Sequence, residues 1–335
     1  MFVEGSARIA KFFGISEFLI GLTLIAGGTS IPELSSSIIA SLDNQSGLIT
    51  GTIIGSNIAN IGLIVGLSAL FMEIKIDKGI LKRDCYIMLF TAILFYVFIL
   101  DGRLSKGEGF FFILLYFAYI KFLLAFSSNK RKQNFKEFLK YFVRMEYIIP
   151  EKSQSIIEIA KKMPKITSGY IYKLYRTAIK HNLIRDSVVI IASILAIIFG
   201  AKSLVGEAVW FANYFQIPPN IIGLTVIAVG TSLPELMVSL SSARKGYSKI
   251  LLGNILGSNI INILLILGVS SLINPINILK TTLLYNAPFM IFFSFLFMVI
   301  IRRYWRIKRT EGAILLLLYI SFIVFQIFAT KFALL

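Results

Sequence analysis

The chain has almost none of the residues that build disulfide frameworks or soft metal sites. It contains one cysteine, Cys85, and one histidine, His181, among 335 residues. A single cysteine excludes an internal disulfide framework and a cysteine-based metal site. His181 lies in a basic stretch, and we interpret it as a solvated loop residue rather than a proton or metal ligand. If the protein binds a metal ion, its ligands are therefore expected to be oxygen atoms.

Charged residues are also scarce. They make up 15% of the chain, whereas 57% of the residues are hydrophobic and the mean hydropathy is +0.81. A soluble domain does not need so much apolar surface, and the short alternating segments of a β-barrel are absent. Residues 1–13 show no apolar core followed by a cleavage site, so no signal peptide is predicted. The composition predicts an all-α polytopic membrane protein.

Charge-poor segments of roughly 17 or more residues, the length that a spanning helix requires, occur along most of the chain. The first of them would itself direct insertion into the membrane. Nine spans are predicted, at residues 18–42, 48–71, 85–100, 109–126, 187–211, 217–241, 249–273, 283–301 and 312–330.

The charge that is present is strongly positive and unevenly distributed. The chain has 34 lysines and arginines against 17 acidic residues, for a net charge of +17. The basic segments are 75–83, 130–185, 244–249 and 302–309, and the nearly neutral connections between them are 43–47, 101–108, 212–220 and 273–283. This alternation is the positive-inside pattern. We therefore expect the linker 127–186 to lie in the cytoplasm, against the lipid of the cell membrane, and we exclude nucleic acid as a partner.

Two sequence blocks occur twice, in the same order and with the same spacing. Residues 28–33 read GTSIPE, and residues 230–235 read GTSLPE. Residues 55–60 read GSNIAN, and residues 257–262 read GSNIIN. The offset is 202 residues throughout, and about half of the positions from 20 to 70 are identical to those 202 residues later. The chain therefore contains an internal duplication.

The duplication divides the chain into three parts. Residues 1–126 form a first membrane repeat, 127–186 a basic linker, and 187–335 a second membrane repeat. The second repeat has five predicted helices, but the first has only four, because a counterpart of 187–203 is absent. An odd number of helices in each repeat would turn the second copy upside down and give inverted-topology repeats. We therefore expect that the first helix is missing here through a start assigned too late; a genuine nine-helix protein is the alternative.

Each of the first blocks places a proline and a glutamate inside an apolar helix. Proline removes a backbone donor and breaks the helix, so the carbonyls of residues 26–30 and 228–232 can leave the helical ladder. A carboxylate in hydrocarbon is expensive, and its occurrence at two equivalent positions, Glu33 and Glu235, indicates a charged substrate. Hydroxyl, carbonyl and carboxylate oxygens together suit hard cations such as Ca²⁺ and Na⁺.

The second block is expected to open another helix. Ser56 and Asn60, like Ser258 and Asn262, lie four residues apart and so share one helix face. With the glutamates and the freed carbonyls they exceed the six to eight oxygens that Ca²⁺ takes. Interhelical hydrogen bonding is the alternative role for these four side chains, and most of the glycines are interpreted as packing residues.

The charge of the two glutamates also bears on mechanism. Two ionised carboxylates in a low dielectric repel each other and need a divalent cation, several monovalent cations or protons. An empty site is therefore costly while it is closed to both sides of the membrane. This favours obligatory exchange over one-way transport.

The duplicated blocks resemble the α-repeats of the cation/Ca²⁺ antiporter superfamily, most closely the prokaryotic sodium/calcium exchangers. The resemblance covers the chain apart from the long linker. It implies two inverted-topology repeats of five helices and electrogenic exchange of Na⁺ for Ca²⁺ by alternating access. We expect a monomer that has no cofactor and takes the two ions as substrates.

The resemblance also implies a ligand set. Glu33 and Glu235 would form a central Ca²⁺ site, with Na⁺ sites on either side. The implied ligands are the side chains of Glu33, Glu235, Ser30, Ser56, Ser232, Ser258, Asn60 and Asn262 and the backbone carbonyls of Ala26, Thr29, Ala228 and Thr231. Because relatives that depend on K⁺ carry an acid at the position of Asn262, the asparagine argues against K⁺ dependence.

Other functions stay open at this point. A Ca²⁺/H⁺ antiporter, or one for another divalent cation, is the first alternative to Na⁺/Ca²⁺ exchange. A cation channel could also use paired acids as a filter, although inverted repeats with broken helices favour a transporter. An enzyme is not expected, because the sequence shows no nucleophile–base set and no metal-hydrolase spacing.

Overall fold

The computed structural model describes residues 3–6, 16–126, 134–145, 147, 188–193, 195–196, 199, 210, 214 and 228–332. Most of the linker 127–186 and of the predicted span 187–211 lies outside these ranges. The predicted span 217–241 is described only from residue 228.

Long helices make up both halves of the chain. In the first half the helices are α1 Glu17–Thr29, α2 Ile31–Leu42, α3 Ser46–Phe71, α4 Lys78–Asp101, α5 Lys106–Phe126 and α6 Phe135–Val143. In the second half they are α7 Ala228–Thr231, α8 Leu233–Arg244, α9 Ser248–Ile273, α10 Thr282–Tyr304 and α11 Arg309–Phe332. Within the described ranges, six of these helices are long and apolar enough to cross a membrane, and the bent pair α1–α2 gives up to seven. The prediction of a helical polytopic membrane protein is confirmed.

Helices α3 and α9 form the centre of the molecule. Almost every residue of α9 from Ile250 to Val269 is buried, and α3 is buried along most of its length. The surrounding helices α4, α5, α10 and α11 instead expose large apolar side chains, such as Ile93, Phe117 and Leu317. Such a surface suits lipid, and the two inner helices are shielded from it.

Close backbone packing joins α1 to α9. A Cβ added at Gly253 would lie 2.3 Å from the Phe18 carbonyl, and one added at Gly257 would lie 2.4 Å from the Leu22 carbonyl. Only glycine permits this approach. The packing role predicted for these two glycines is therefore confirmed.

Four two-residue strands mark the two ends of the helices. They are β1 Ile74–Lys75, β2 Arg103–Leu104, β3 Ile276–Asn277 and β4 Arg306–Ile307. β1 pairs with β4 and β2 pairs with β3, both antiparallel. Helix α4 therefore runs from the β1–β4 pair to the β2–β3 pair, and α10 runs in the opposite direction.

Among the described residues, the basic and the neutral connections lie at opposite ends of the helices. Beside the β1–β4 pair, Lys249 Nζ lies 3.3 Å from Asp77, and the ammonium of Lys78 lies over the ring of Trp305. Beside the β2–β3 pair, Ser41 Oγ donates to the Ser270 carbonyl at 2.7 Å. Of the connections that the structure describes, the basic ones (75–83, 244–249 and 302–309) therefore lie at one end, and the neutral ones (43–47, 101–108 and 273–283) lie at the other.

One helix of the linker, α6, packs against α4 and α5. Phe135 lies 5.4 Å from Phe90 between ring centroids. Phe138 is fully buried against the rings of Tyr119 and Phe122. At the other end of α6, Phe142 lies 5.7 Å from Phe111, near the start of α5. The apolar side of this amphipathic helix is therefore covered by α4 and α5.

Candidate cation-binding site

The first motif breaks its helix in both halves. The break lies at Ser30 between α1 and α2 (φ −85°, ψ 7°) and at Ser232 between α7 and α8 (φ −84°, ψ 4°). Helices α1 and α2 are bent by 44° at this point. The prolines Pro32 and Pro234 occupy the first turn of the following helix, where a missing N–H is tolerated. The broken helices predicted from the sequence are confirmed.

The fate of the carbonyls differs in part from the expectation. Because Pro32 has no N–H, the carbonyl of Gly28 has no donor four residues later. The Ala26 carbonyl, in contrast, accepts from the Ser30 N–H at 3.0 Å and from Thr29 Oγ1 at 3.3 Å. The expectation that Ala26 leaves the helical ladder is therefore wrong, since α1 stays helical up to Thr29. The equivalent bond of Ala228 lies outside the described contacts.

The two glutamates are held by the opposite halves of the chain. Glu33 and Glu235 are each only 1% exposed. Ser30 Oγ of the first half donates to Glu235 Oε1 at 3.0 Å, and Ser232 Oγ of the second half donates to Glu33 Oε1 at 3.5 Å. Ser258 Oγ also donates to Glu235 Oε1, at 3.3 Å. The serines and glutamates of both first motifs therefore form one shared cluster.

Several buried oxygens of the two glutamates and of the second motifs have no hydrogen-bond partner. They are Glu33 Oε2, Glu235 Oε2, Ser56 Oγ, Asn60 Oδ1 and Asn262 Oδ1. An unsatisfied buried oxygen costs about 1–3 kcal/mol, and more when it carries charge. Inside a membrane protein, a bound cation can satisfy such unpaired acceptor oxygens where water does not. All five residues were predicted from the sequence as ligands.

The second motif does not open a helix. Residues 55–60 and 257–262 lie in the middle of α3 and α9, and that expectation is wrong. Each block ends where a π-helical segment begins, at Asn60–Val65 and Asn262–Leu267. π-Helical turns rotate the side chains that follow and are frequent at functional sites. The equal offset of 202 residues shows that both halves share this feature.

Two further asparagines, Asn57 and Asn259, complete a network beneath the site. Asn60 Nδ2 donates to Asn259 Oδ1 at 3.1 Å, and Asn262 Nδ2 donates to Asn57 Oδ1 at 2.9 Å. Each bond joins one half of the chain to the other. The sequence analysis did not select these residues, although both belong to the GSN block.

Asn254 is a third residue that the sequence analysis missed. Its Nδ2 donates to the Glu235 carbonyl at 3.4 Å and to Ser239 Oγ at 3.2 Å, and its Oδ1 accepts from Thr29 Oγ1 at 3.2 Å. The equivalent position in the first half is Thr52. Because the repeat does not conserve this asparagine, symmetry gave no signal for it.

The remaining predicted residues also lie at the broken helices. Thr29 is buried and Thr231 is half-buried, and the Thr231 side chain interacts with Glu33. Ala26 is fully buried in α1, and Ala228 begins α7. The structure thus brings the residues from both copies of the first motif together.

A third buried acid lies away from this cluster. Asp84, in α4 near the basic end, is paired with Arg83 Nε at 2.9 Å and accepts from the Tyr119 hydroxyl at 2.7 Å. Because its charge is balanced by an arginine, we interpret it as structural. In the part of the chain that the structure describes, no three acidic, histidine or cysteine side chains come together. The candidate site is therefore built on two carboxylates and neutral oxygens.

Comparison with known proteins supports an interpretation in terms of ion exchange. Residues 1–125 and 186–328 match the family model described as sodium/calcium exchanger protein. The chain is 44% identical over 324 residues to sodium/calcium exchanger MaX1 of Methanosarcina acetivorans, covering 96% of this chain and 92% of that protein. It is 31% identical to inner membrane protein YrbG of Escherichia coli, covering 82% and 74% of the two chains. A solved structure of the sodium-calcium exchanger NCX_Mj, soaked with Na⁺ and Sr²⁺, superposes with a TM-score of 0.74 at 31% identity, covering 96% of this chain and 92% of that one.

Proposed function

The chain belongs to the sodium/calcium exchanger family, and we propose that it exchanges Na⁺ for Ca²⁺ at the site between its two broken helices. The observation that carries this proposal is the pair Glu33 and Glu235, buried together with one free oxygen each. Each carboxylate also accepts a hydrogen bond from a serine of the opposite half. This is the donor set that Ca²⁺ and Na⁺ prefer.

We assign the central Ca²⁺ site to Glu33 and Glu235. The side-chain oxygens of Asn60 and Asn262 and the carbonyls of Thr29 and Thr231 would complete it. One oxygen of each carboxylate and the side-chain oxygens of Ser56, Asn60 and Asn262 are buried without a hydrogen-bond partner, and Ca²⁺ takes six to eight oxygens. Asn60 and Asn262 add ligands without adding charge, so the fixed charge stays at that of two carboxylates.

Sodium ions would occupy positions on either side of the Ca²⁺ site. The residues we assign to them are Ser30, Ser56, Ser232 and Ser258, with the carbonyls of Ala26 and Ala228. The free Ser56 hydroxyl and the contact of Ser258 with Glu235 support this assignment. The Ala26 carbonyl already accepts from the Ser30 N–H, and the Thr29 hydroxyl lies 3.3 Å from it. Ligation of Na⁺ by this carbonyl would leave the Thr29 hydroxyl to donate to Asn254 alone.

The charge of the site explains exchange. With both carboxylates ionised, either one Ca²⁺ or at least two Na⁺ restores neutrality, and an empty site leaves two like charges buried. The protein would therefore pass between inward-open and outward-open states only when loaded. Alternating access with obligatory counter-transport follows from this requirement.

We further propose that the two halves of the chain, 1–126 and 187–335, are inverted-topology repeats of each other. The opposite directions of α4 and α10, together with the exchange of strand partners, support this arrangement. The basic linker 127–186 would lie in the cytoplasm, as the collection of basic connections at one end indicates. Because one chain supplies both halves of the site, a monomer would suffice, placed in the cell membrane.

The test is ⁴⁵Ca²⁺ uptake into proteoliposomes loaded with Na⁺ and diluted into Na⁺-free buffer. Uptake should require the outward Na⁺ gradient, and both Glu33→Gln and Glu235→Gln should abolish it. Glu73→Gln is the matched control, because Glu73 is a surface acid paired with Arg306. Uptake driven by a pH gradient alone would assign Ca²⁺/H⁺ exchange instead, and uptake without any counter-ion would indicate a channel.

A further inference from the structure

The amide groups of Asn57 and Asn259 have their orientation fixed by methionine sulfur. Asn259 Nδ2 lies 3.4 Å from the sulfur of Met88, and Asn57 Nδ2 lies 3.5 Å from the sulfur of Met290. Asn57 Nδ2 also donates to the backbone carbonyl of Asn259 at 3.3 Å. All four residues are nearly or fully buried, with at most 2% of any of them exposed.

These contacts form two equivalent chains of hydrogen bonds. One runs from Met88 through Asn259 to Asn60, and the other from Met290 through Asn57 to Asn262. Each residue of one chain is related to its counterpart by the 202-residue offset. In each chain the middle asparagine belongs to the half opposite the methionine and the ligand. The arrangement is therefore part of the duplicated architecture and not a single contact.

The direction of each chain follows from hydrogen-bond chemistry. A thioether sulfur only accepts, so it faces the –NH₂ group of its asparagine. The carbonyl oxygen of Asn259 then faces Asn60 and accepts from the Asn60 –NH₂ group. That leaves Asn60 Oδ1 turned away from the network and without a partner. The same reasoning applies to Asn262.

Orientation matters because an asparagine has two different ends. With its oxygen toward a cation it is a ligand, whereas with its –NH₂ group toward the cation it removes a ligand and adds repulsion. Groups that orient the ligands of a metal typically change its affinity by 10- to 100-fold when removed. A fixed amide is thus worth more here than a freely rotating one.

We propose that Asn57 and Asn259, each anchored by the methionine of the opposite half, are positioning residues that hold the carbonyl oxygens of Asn60 and Asn262 toward the transported ion. This inference rests on the proposed site. It adds Asn57, Asn259, Met88 and Met290 to the residues that determine ion affinity, although none of them touches the ion.

The first experiment measures the Ca²⁺ concentration for half-maximal Na⁺-driven uptake in proteoliposomes. Asn259→Leu should raise it roughly 10- to 100-fold. Asn286→Leu is the matched control, since Asn286 is a buried amide bonded to Gln326 away from the site. The control should shift the half-maximal concentration less than about twofold. It should lower thermal stability about as much as Asn259→Leu does, because each substitution removes a buried hydrogen bond.

A second experiment separates positioning from general packing. Aspartate has two accepting oxygens and needs no particular orientation. In an Asn60→Asp background, Asn259→Leu should therefore lose most of its effect on affinity. In an Asn262→Asp background, the same substitution should keep its full effect, because Asn262 is bonded to Asn57 and not to Asn259. An equal penalty in both backgrounds would overturn the proposal.

Methionine variants test the anchor with little change in packing. Met88→Leu together with Met290→Leu should raise the half-maximal Ca²⁺ concentration about tenfold, since each removes one weak hydrogen bond to an amide. Met298→Leu is the control, because the structure gives this buried residue of α10 no amide contact. An unchanged half-maximal concentration in the double methionine variant would overturn the anchoring role, even where Asn259→Leu fails to fold. If Asn259→Leu and the double methionine variant keep wild-type affinity while Glu33→Gln abolishes uptake, the positioning role is wrong and the proposed ion site is unaffected.

Discussion

Ser30 donates a hydrogen bond of 3.0 Å to Glu235, across 205 positions of the chain. The first broken helix thereby holds the carboxylate of the second, and Ser232 makes the reciprocal contact to Glu33 at 3.5 Å. Each half of the site is therefore incomplete without the other. A change in the relative position of the halves would act directly on both carboxylates.

The two reciprocal contacts predict unequal effects of equivalent substitutions. Ser30 donates a bond of 3.0 Å to Glu235, whereas the bond that Ser232 donates to Glu33 is 3.5 Å long and therefore weaker. Ser30→Ala should therefore lower thermal stability in detergent by about 1 kcal/mol more than Ser232→Ala. Thermal unfolding of the two purified variants without Ca²⁺ measures this difference. Equal losses would show that the hydroxyls do not support the carboxylates as described.

The prolines should matter through the carbonyls that they release. Pro32→Ala supplies an N–H to the Gly28 carbonyl, and Pro234→Ala does the same for Gly230. Each substitution should straighten its helix and turn the adjacent carbonyl that we assign to Ca²⁺, that of Thr29 or Thr231, away from the site. Loss of one such oxygen should weaken Ca²⁺ binding about tenfold. Calcium titrations of uptake test this, with Pro288→Ala in α10 as the control. Unaltered Ca²⁺ affinity in both variants would show that the proline breaks are not needed to direct these carbonyls to the ion.

Packing between α1 and α9 should tolerate no added methyl group. At Gly257 a Cβ would meet the Leu22 carbonyl at 2.4 Å, so Gly257→Ala should destabilise the protein by roughly 1–3 kcal/mol. Gly79→Ala is the matched control, because nothing lies within 4 Å of its added Cβ. Replacing a helical glycine by alanine there should leave stability unchanged or raise it slightly. Melting temperatures of the two variants in detergent provide the comparison, and equal values would contradict the packing.

The arrangement of the two ends predicts the sidedness of labelling. Cys85 is fully buried, and Cys85→Ser gives a background for single cysteines. Cysteines introduced for Asp77 or Lys308 should react with an impermeant maleimide only from the cytoplasmic face of oriented vesicles. Cysteines introduced for Asp101 or Lys280 should react only from the opposite face. Labelling of all four from one face would contradict the inverted repeats.

Sequence alone was sufficient for the parts of the site that carry charge or recur. A glutamate and a proline inside an apolar helix are conspicuous, and their recurrence 202 residues later located Glu33 and Glu235 together with the helix breaks. Asn60 and Asn262 were selected as candidate ligands because each lies four residues from a serine on the same helix face, and this role stays a prediction.

Contacts between the halves could not be predicted in the same way. Periodicity shows which residues share a face but not which helix that face meets. The hydrogen bond from Asn60 of the first half to Asn259 of the second half could therefore not be predicted from the sequence. Asn254 could not be recognised from the repeat, because its counterpart is Thr52. The Ala26 carbonyl stays in the helical hydrogen-bond ladder because α1 continues to Thr29, so that the Ser30 N–H reaches it.

The most direct test of the account is equilibrium binding of ⁴⁵Ca²⁺ to the purified protein, with Na⁺ as competitor. The account predicts one Ca²⁺ per chain, displaced by Na⁺, and lost in Glu33→Gln as well as in Glu235→Gln, because both carboxylates hold the same ion. Retention of wild-type Ca²⁺ affinity in either single variant would contradict a shared site.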